Sequence, residues 1–390
     1  MNALARRARR RWLLRAVASP IGWSVGAPLA GLAAGEAAAA VAYPAVRTGE
    51  PLVFPRDHGA HPDYRTEWWY VTGWLERSDH RPLGFQVTFF RSRPGIAEDL
   101  PVASAARQII FAHAALSLPE HGRLLHDQRA ARVAFGLARA GEATMDVALD
   151  DWSLVMDARG RFTARIRARE FRFDLSFVPR IAPVLQGEEG VSRKGPRPSQ
   201  ASYYYSLPQV SVQGRVELLA AAGNGLSDLM GQGKRAQSVT GRAWFDHEWS
   251  SEYMAPSVVG WDWAGINLRD GGALMVFRMR DADGGVVWAG GSLRRSDGTE
   301  QQFEPGEVRF VTLRTWQSPR TGAWFPVQMQ VEVPGLTLAL RPLIDDQELD
   351  ARHGVGAVYW EGAVRAHGRT GSLLGQGYLE LTGYAGRLQM

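Results

Sequence analysis

From Tyr43 onward, apolar and polar residues alternate with a period of two, and this pattern constrains the chain more than any other feature. Phe85-Gln86-Val87-Thr88-Phe89, Phe171-Arg172-Phe173-Asp174-Leu175, Val327-Gln328-Met329-Gln330-Val331 and Leu336-Thr337-Leu338-Ala339-Leu340 alternate as half-buried strands do. Turn signals divide them at Ser78-Asp79-His80, Arg159-Gly160, Asp270-Gly271-Gly272, Asp283-Gly284-Gly285, Asp297-Gly298 and Pro334-Gly335. Helical periodicity is scarce: its clearest candidate, residues 220–231, is short and interrupted by glycines. Many short strands with regular turns predict an all-β protein of sandwich or barrel type.

A length of 390 residues allows about two domains. A weak internal echo supports that division. Trp69-Tyr70-Val71-Thr72-Gly73 and Trp261-Asp262-Trp263-Ala264-Gly265 each open a strand, pass a turn and return through an alternating strand. Two related antiparallel β-domains follow, over residues 43–249 and 250–390. The least strand-like stretch, residues 179–208, is rich in proline and carries Tyr203-Tyr204-Tyr205 and Lys194. We expect a long loop there, over a cavity mouth or across the domain interface.

The net charge of +5 sits at one end. Residues 1–42 hold six arginines and a single acid, Glu36, a surplus equal to that of the whole chain. An uncharged run, residues 16–35, and small residues near Ala38-Ala39-Ala40 complete the pattern of an export signal. Arg10-Arg11-Trp12-Leu13-Leu14 resembles a twin-arginine address. Removal of residues 1–42 would leave a formally neutral, periplasmic or secreted protein with no stable membrane span and no electrostatic case for nucleic acid. The chain has no cysteine, which excludes disulfides and thiolate chemistry.

Two segments concentrate ionisable and aromatic residues. In the first, Pro55-Arg56-Asp57-His58-Gly59-Ala60-His61-Pro62 leads into a strand, Thr66-Glu67-Trp68-Trp69-Tyr70. Alternation puts Glu67 and Trp69 on one face and Trp68 and Tyr70 on the other, so one of the two pairs lines a barrel interior. In the second, Trp244, Asp246 and Glu248 share a face, and Phe245, His247 and Trp249 share the opposite one. His247 beside aromatic rings is a candidate acid–base group, and Asp262, flanked by Trp261 and Trp263, is a candidate proton donor if burial raises its pKa. We expect the aromatic residues to line a cavity for an apolar ligand.

Other chemistries find less support. His58 and His61 with Asp57 or Glu67 could ligate a metal, but two histidines three apart on a loop are better explained by hydrogen bonds that order it. Ser250 and Ser251 near His247 match no hydrolase spacing. Nucleophile-elbow, zinc-helix, P-loop and dinucleotide motifs are missing, so no metal and no cofactor are expected.

The Pro55–Tyr70 region, Trp244-Phe245-Asp246-His247-Glu248-Trp249 and Gly260-Trp261-Asp262-Trp263 resemble the AttH-like and carotenoid 1,2-hydratase family. Tyr359-Trp360-Glu361-Gly362 and Gly377-Tyr378-Leu379-Glu380-Leu381-Thr382-Gly383-Tyr384 are similar to it as well. The resemblance implies two tandem lipocalin-like β-barrels behind an export signal. It also implies either water addition to an isoprenoid double bond, a secreted hydrolase, or a part associated with a membrane-bound export system. Its His-x-Trp pair corresponds to His247 and Trp249. The Tyr and Asp expected on a following strand are missing from Ala273-Leu274-Met275-Val276-Phe277-Arg278-Met279, so the donor is absent or has moved, with Asp262 as the candidate.

Two functions follow. One is a carrier that binds a hydrophobic isoprenoid or lipid through Trp68, Trp69, Tyr70, Trp244, Trp249, Trp261 and Trp263. The other is a cofactor-free hydro-lyase with His247, Asp262, Asp246 and Glu67 as its catalytic groups.

Overall fold

The computed structural model describes residues 41–388 apart from 97, 99–101, 103–104, 106, 220–235 and 353–355. The expected export signal and the helix candidate at 220–231 therefore lie outside the described residues. Among the described residues the regular structure is strand, with three short 3-10 turns.

Thirteen strands form the first sheet. They are β1 (Thr66–Arg77), β2 (Pro82–Ser92), β3 (Ile109–Ser117), β4 (Leu124–Arg132), β5 (Ala138–Ala140), β6 (Asp146–Leu149), β7 (Trp152–Met156), β8 (Phe162–Arg167), β9 (Phe171–Val178), β10 (Val184–Leu185), β11 (Val191–Arg193), β12 (Ala201–Leu218) and β13 (Gln237–Glu252). Ten form the second: β14 (Gly260–Leu268), β15 (Ala273–Arg280), β16 (Val286–Arg294), β17 (Glu300–Phe303), β18 (Arg309–Gln317), β19 (Trp324–Val333), β20 (Leu336–Pro342), β21 (Glu348–Ala351), β22 (Ala357–His367) and β23 (Leu373–Leu381).

Each predicted turn joins consecutive antiparallel strands. The sheet orders are β4-β3-β2-β1-β13-β12-β9-β8-β7-β6-β5 and β17-β16-β15-β14-β23-β22-β20-β19-β18. In both, the first strand lies between the second and the last, so the echo at Trp69 and Trp261 marks equivalent hairpins. Strands β3 and β4 approach β5 and β6, which brings the first sheet close to a closed barrel. The second sheet covers the outer face of β1 and of the latter part of β13, and the nearly continuous burial of those residues reflects cover on both sides.

The barrel interior is filled. Val71, Leu75, Phe85, Val87, Phe162 and Phe245 belong to one packed cluster of buried side chains, and the second sheet has its own around Phe325, Met329, Leu338 and Trp360. A third cluster lies between the sheets and includes Tyr70, Trp74, Tyr204, Trp244, Trp263 and Phe277. The sheets approach closely there. A Cβ added at Gly84 of β2 would lie 2.6 Å from Ala363 Cβ of β22 and 2.7 Å from Tyr378 Oη of β23.

Residues 179–208 differ from the expected loop. Val184, Leu185 and Val191 pair with the tyrosine-rich start of β12, and Gly187 and Gly190, at φ +73° and +95°, make the tight turn between them. Pro208 is accommodated inside β12 because the register with β13 shifts between Leu207 and Val210. The segment does bridge the sheets: Ser292 Oγ donates to Gln186 Oε1 at 2.7 Å, and the Gly187 amide donates to Gln302 Oε1 at 3.2 Å.

Candidate functional site

Strand β1 pairs with β13, which pairs in turn with β12, and the register fixes what each face presents. Glu67 lies opposite Trp249, Trp69 opposite His247 and Tyr70 opposite Asp246. Tyr203, Tyr204 and Tyr205 of β12 lie opposite Trp249, Glu248 and His247. Alternation then sends two different polar groups to opposite sides of one three-stranded wall.

Glu67, His247 and Trp69 point into the first barrel, each with essentially no exposure. Glu67 Oε1 accepts from His247 Nε2 at 2.9 Å and lies 2.7 Å from His61 Nδ1, while Arg91 Nε donates to Glu67 Oε2 at 2.6 Å. His247 Nδ1 meets the Asp57 carbonyl at 3.0 Å. His61 stacks on Trp249 with centroids 3.7 Å apart. Burial works against the Glu67 charge, but Arg91, His61 and His247 hold its pKa well below the carboxylate range. Burial lowers the pKa of His247 against the pull of Glu67. For His61, Glu67 and Asp57 outweigh burial and raise it.

His61, Glu67 and His247 offer three potential metal ligands whose donor atoms lie within 4.8 Å of one another. His58 is not among them, because its Nδ1 meets Tyr205 Oη at 2.6 Å. His61 and His247 each meet Glu67 Oε1 and Arg91 pairs with its Oε2, so the group forms a buried ion-pair network. Removing a partner from so buried a network leaves an uncompensated charge, which costs about 3–5 kcal/mol.

The opposite face of the wall looks onto the second sheet across a small aromatic chamber. Trp68, Tyr70 and Phe90 line it with Tyr204, Tyr253, Trp261, Trp263, Phe277, Met279 and Tyr359. Its open space is about 50 Å³. A water needs about 10–15 Å³ by such a measure, so the chamber as it stands has room for water but not for an isoprenoid chain. Phe277 also lines an open groove of about 810 Å³ beside Trp288 and Phe303.

Four acids enter this chamber: Asp246, Glu248, Glu361 and Glu380. Asp246 Oδ1 accepts from Ser206 Oγ at 2.6 Å and Trp244 Nε1 at 2.7 Å, and its Oδ2 accepts from Tyr204 Oη at 2.8 Å. Burial nevertheless pushes the carboxyl up to about 7. Glu248 pairs with Lys194 Nζ at 2.9 Å and accepts from Ser202 Oγ. The Lys194 ammonium also lies 4.1 Å from the Phe277 centroid and 4.7 Å from that of Tyr204. Burial lowers the Lys194 pKa and raises that of Glu248, each against the pull of its partner. Glu361 and Glu380 are cross-strand neighbours on β22 and β23. Burial and mutual repulsion raise Glu361 well above the usual range, and burial pushes Glu380 up to about 7.

The expected site residues thus separate. Trp68, Tyr70, Trp261, Trp263 and Asp246 meet in the chamber, with Trp244 behind Asp246. Glu67, Trp69, His247 and Trp249 lie on the far side of the wall. Asp262 does not enter the chamber. It alternates with the two tryptophans and is held by Arg278 Nε at 2.6 Å, Arg280 Nε at 3.0 Å and Tyr384 Oη at 3.0 Å. Sequence reasoning did not select Lys194, Glu248, Tyr204, Tyr253, Glu361 or Glu380 as site residues. Glu248 shares the Asp246 face and could have been found by alternation.

The AttH-like family profile matches residues 45–384. A crystal structure of a candidate AttH protein from Nitrosomonas europaea is 46% identical and superposes with a TM-score of 0.78, covering 87% of this chain and 99% of that one. The crystal structure of kievitone hydratase from Nectria haematococca has the same fold at 13% identity, with a TM-score of 0.63 over 89% of this chain and 97% of that one. No curated protein sequence matches. With a match over nearly all of the described residues, the chain belongs to the AttH-like family.

Proposed function

We propose that this protein, exported through its arginine-led N-terminal segment, binds an apolar unsaturated molecule of isoprenoid or lipid type at the chamber between its sheets and adds water to a carbon–carbon double bond. The observation that carries this reading is Asp246, a carboxyl drawn up to about 7 by burial among aromatic rings. Such a group is protonated often enough at neutral pH to act as an acid, and its conjugate base is basic enough to take a proton back.

The chemistry needs no redox partner. The Asp246 carboxyl gives its proton to one alkene carbon, the π pair forms the new C–H bond, and the other carbon becomes cationic. Tyr204, Ser206 and Trp244 are placed to stabilise the carboxylate left behind. The faces of Trp68, Trp261 and Trp263 would attenuate the cation. Water then forms the C–O bond, and its surplus proton returns to a carboxylate. Because the chamber is small, the ligand must displace side chains to enter, and Phe277, which lines both the chamber and the outer groove, is the candidate.

Native mass spectrometry of the protein isolated from its own envelope, followed by organic extraction, tests the binding half. A co-purifying isoprenoid or lipid supports it. Protein free of ligand, whose tryptophan fluorescence ignores long-chain isoprenoids, would overturn it.

A further inference from the structure

Two buried polar atoms in the chamber, Tyr70 Oη and Glu361 Oε1, lie near enough to interact, yet neither makes a direct hydrogen bond of normal geometry. Both residues are more than nine-tenths buried, at 6% and 2% exposure, and both line the same cavity. Native proteins rarely leave such atoms unsatisfied; a bound water or ligand oxygen usually completes them. The cavity is large enough for one.

The surroundings point to a hydroxyl oxygen. Tyr70 can donate or accept, and Glu361 Oε1 can accept. Glu380 is the direct cross-strand neighbour of Glu361, with its Oε2 anchored by Trp261 Nε1 at 3.0 Å. Two carboxyls so placed share a proton, because a second negative charge beside the first is unfavourable. Together they can donate one hydrogen bond and accept others, which suits a group that is both donor and acceptor. A bare cation or a carbonyl uses only half of that capacity. Tyr70 lies directly opposite Asp246 in the β1–β13 register, so both side chains enter the same chamber from one face of the wall.

We infer that Tyr70, Glu361 and Glu380 form a binding site for a single hydroxyl oxygen, either water or an alcohol group of the ligand. The binding site stands on the unpartnered atoms alone. Its role in supplying the water that adds to the double bond rests on the hydration proposed above. In that role the free carboxylate of the pair takes the proton that the water releases as its oxygen bonds to carbon.

High-resolution crystal structures of the full chain and of Tyr70→Phe, each prepared after organic extraction, test the inference. The wild-type chamber should hold an ordered oxygen at about 2.7 Å from both Tyr70 Oη and Glu361 Oε1. An isolated peak identifies water, and a peak continuous with carbon density identifies a ligand alcohol. In Tyr70→Phe the oxygen should be lost or displaced. A chamber in which Tyr70 bonds Glu361 directly, with no third oxygen, overturns the inference, as does an oxygen unmoved in Tyr70→Phe. If the oxygen is present but no isoprenoid gains water, the hydration reading falls and the site stands. If water is added but no oxygen is held there, the site alone falls.

Discussion

Tyr204 Oη donates to Asp246 Oδ2 at 2.8 Å while accepting from Trp263 Nε1 at 3.0 Å, which ties the acid of one sheet to an aromatic wall of the other. The same burial that raises Asp246 makes it a source of pH dependence. Its folded pKa, about 7, exceeds the unfolded value. Its contribution to stability is therefore complete below pH ~4 and is lost as pH rises through 7. Asp246→Asn removes that loss. Between pH 4 and 8 the variant should gain on wild type by on the order of 4 kcal/mol, read from urea unfolding across the range. Parallel pH profiles would show that Asp246 titrates normally.

The acid arm of the profile has other origins. Burial lowers His58 to about 4 and His113 to about 3, so their contributions are present above pH ~6.5 and decline as pH falls toward those values. His113 Nδ1 meets Tyr359 Oη at 2.5 Å and thereby joins β3 to β22. Its protonation should loosen the contact between sheets. His113→Gln should shift the acid midpoint of unfolding, followed by near-ultraviolet circular dichroism, to lower pH. An unchanged midpoint would assign acid unfolding elsewhere.

Lys194 and Glu248 form a buried pair whose value lies in mutual neutralisation. Lys194→Met should cost about 3–5 kcal/mol, because it strands the Glu248 charge. Adding Glu248→Gln should recover most of that cost. A double-mutant cycle by chemical denaturation measures the coupling, and additive effects would contradict it.

Phe277 stands between the chamber and the outer groove. Phe277→Ala should join the two spaces and accelerate association of a long-chain isoprenoid, followed by stopped-flow tryptophan fluorescence. Some stability, about 3–5 kcal/mol, will be lost with the buried ring. Unchanged association kinetics would place the entrance elsewhere.

Much of this was legible in the residues. Alternation alone placed Glu67 with Trp69 and Trp68 with Tyr70, and the structure shows the first pair inside the barrel and the second at the chamber. It also put Asp246 and His247 on opposite faces, although not which face held the cavity. The aromatic-lined space lies between the sheets because the barrel interior is filled by residues such as Phe85 and Phe245. Asp262 shows a signal that was present: the tight turn after β14 sets Asp262 directly opposite Arg278, two residues from Arg280. Lys194 and the Glu361–Glu380 pair were hidden. Lys194 reaches the Asp246 face through the β11–β12–β13 pairing, and the Glu361–Glu380 pair only through the packing of the second sheet on the first.

The central claim, that Asp246 and not His247 moves the proton, is tested most directly in heavy-oxygen water. Wild type, Asp246→Asn and His247→Gln would be incubated with a panel of acyclic isoprenoids, with products read by mass spectrometry and affinity by tryptophan fluorescence. The account predicts labelled hydration product from wild type and His247→Gln. Asp246→Asn should bind comparably while its turnover falls by about 10²-fold or more. Turnover by Asp246→Asn at the wild-type rate, or its loss in a folded, ligand-binding His247→Gln, would contradict it.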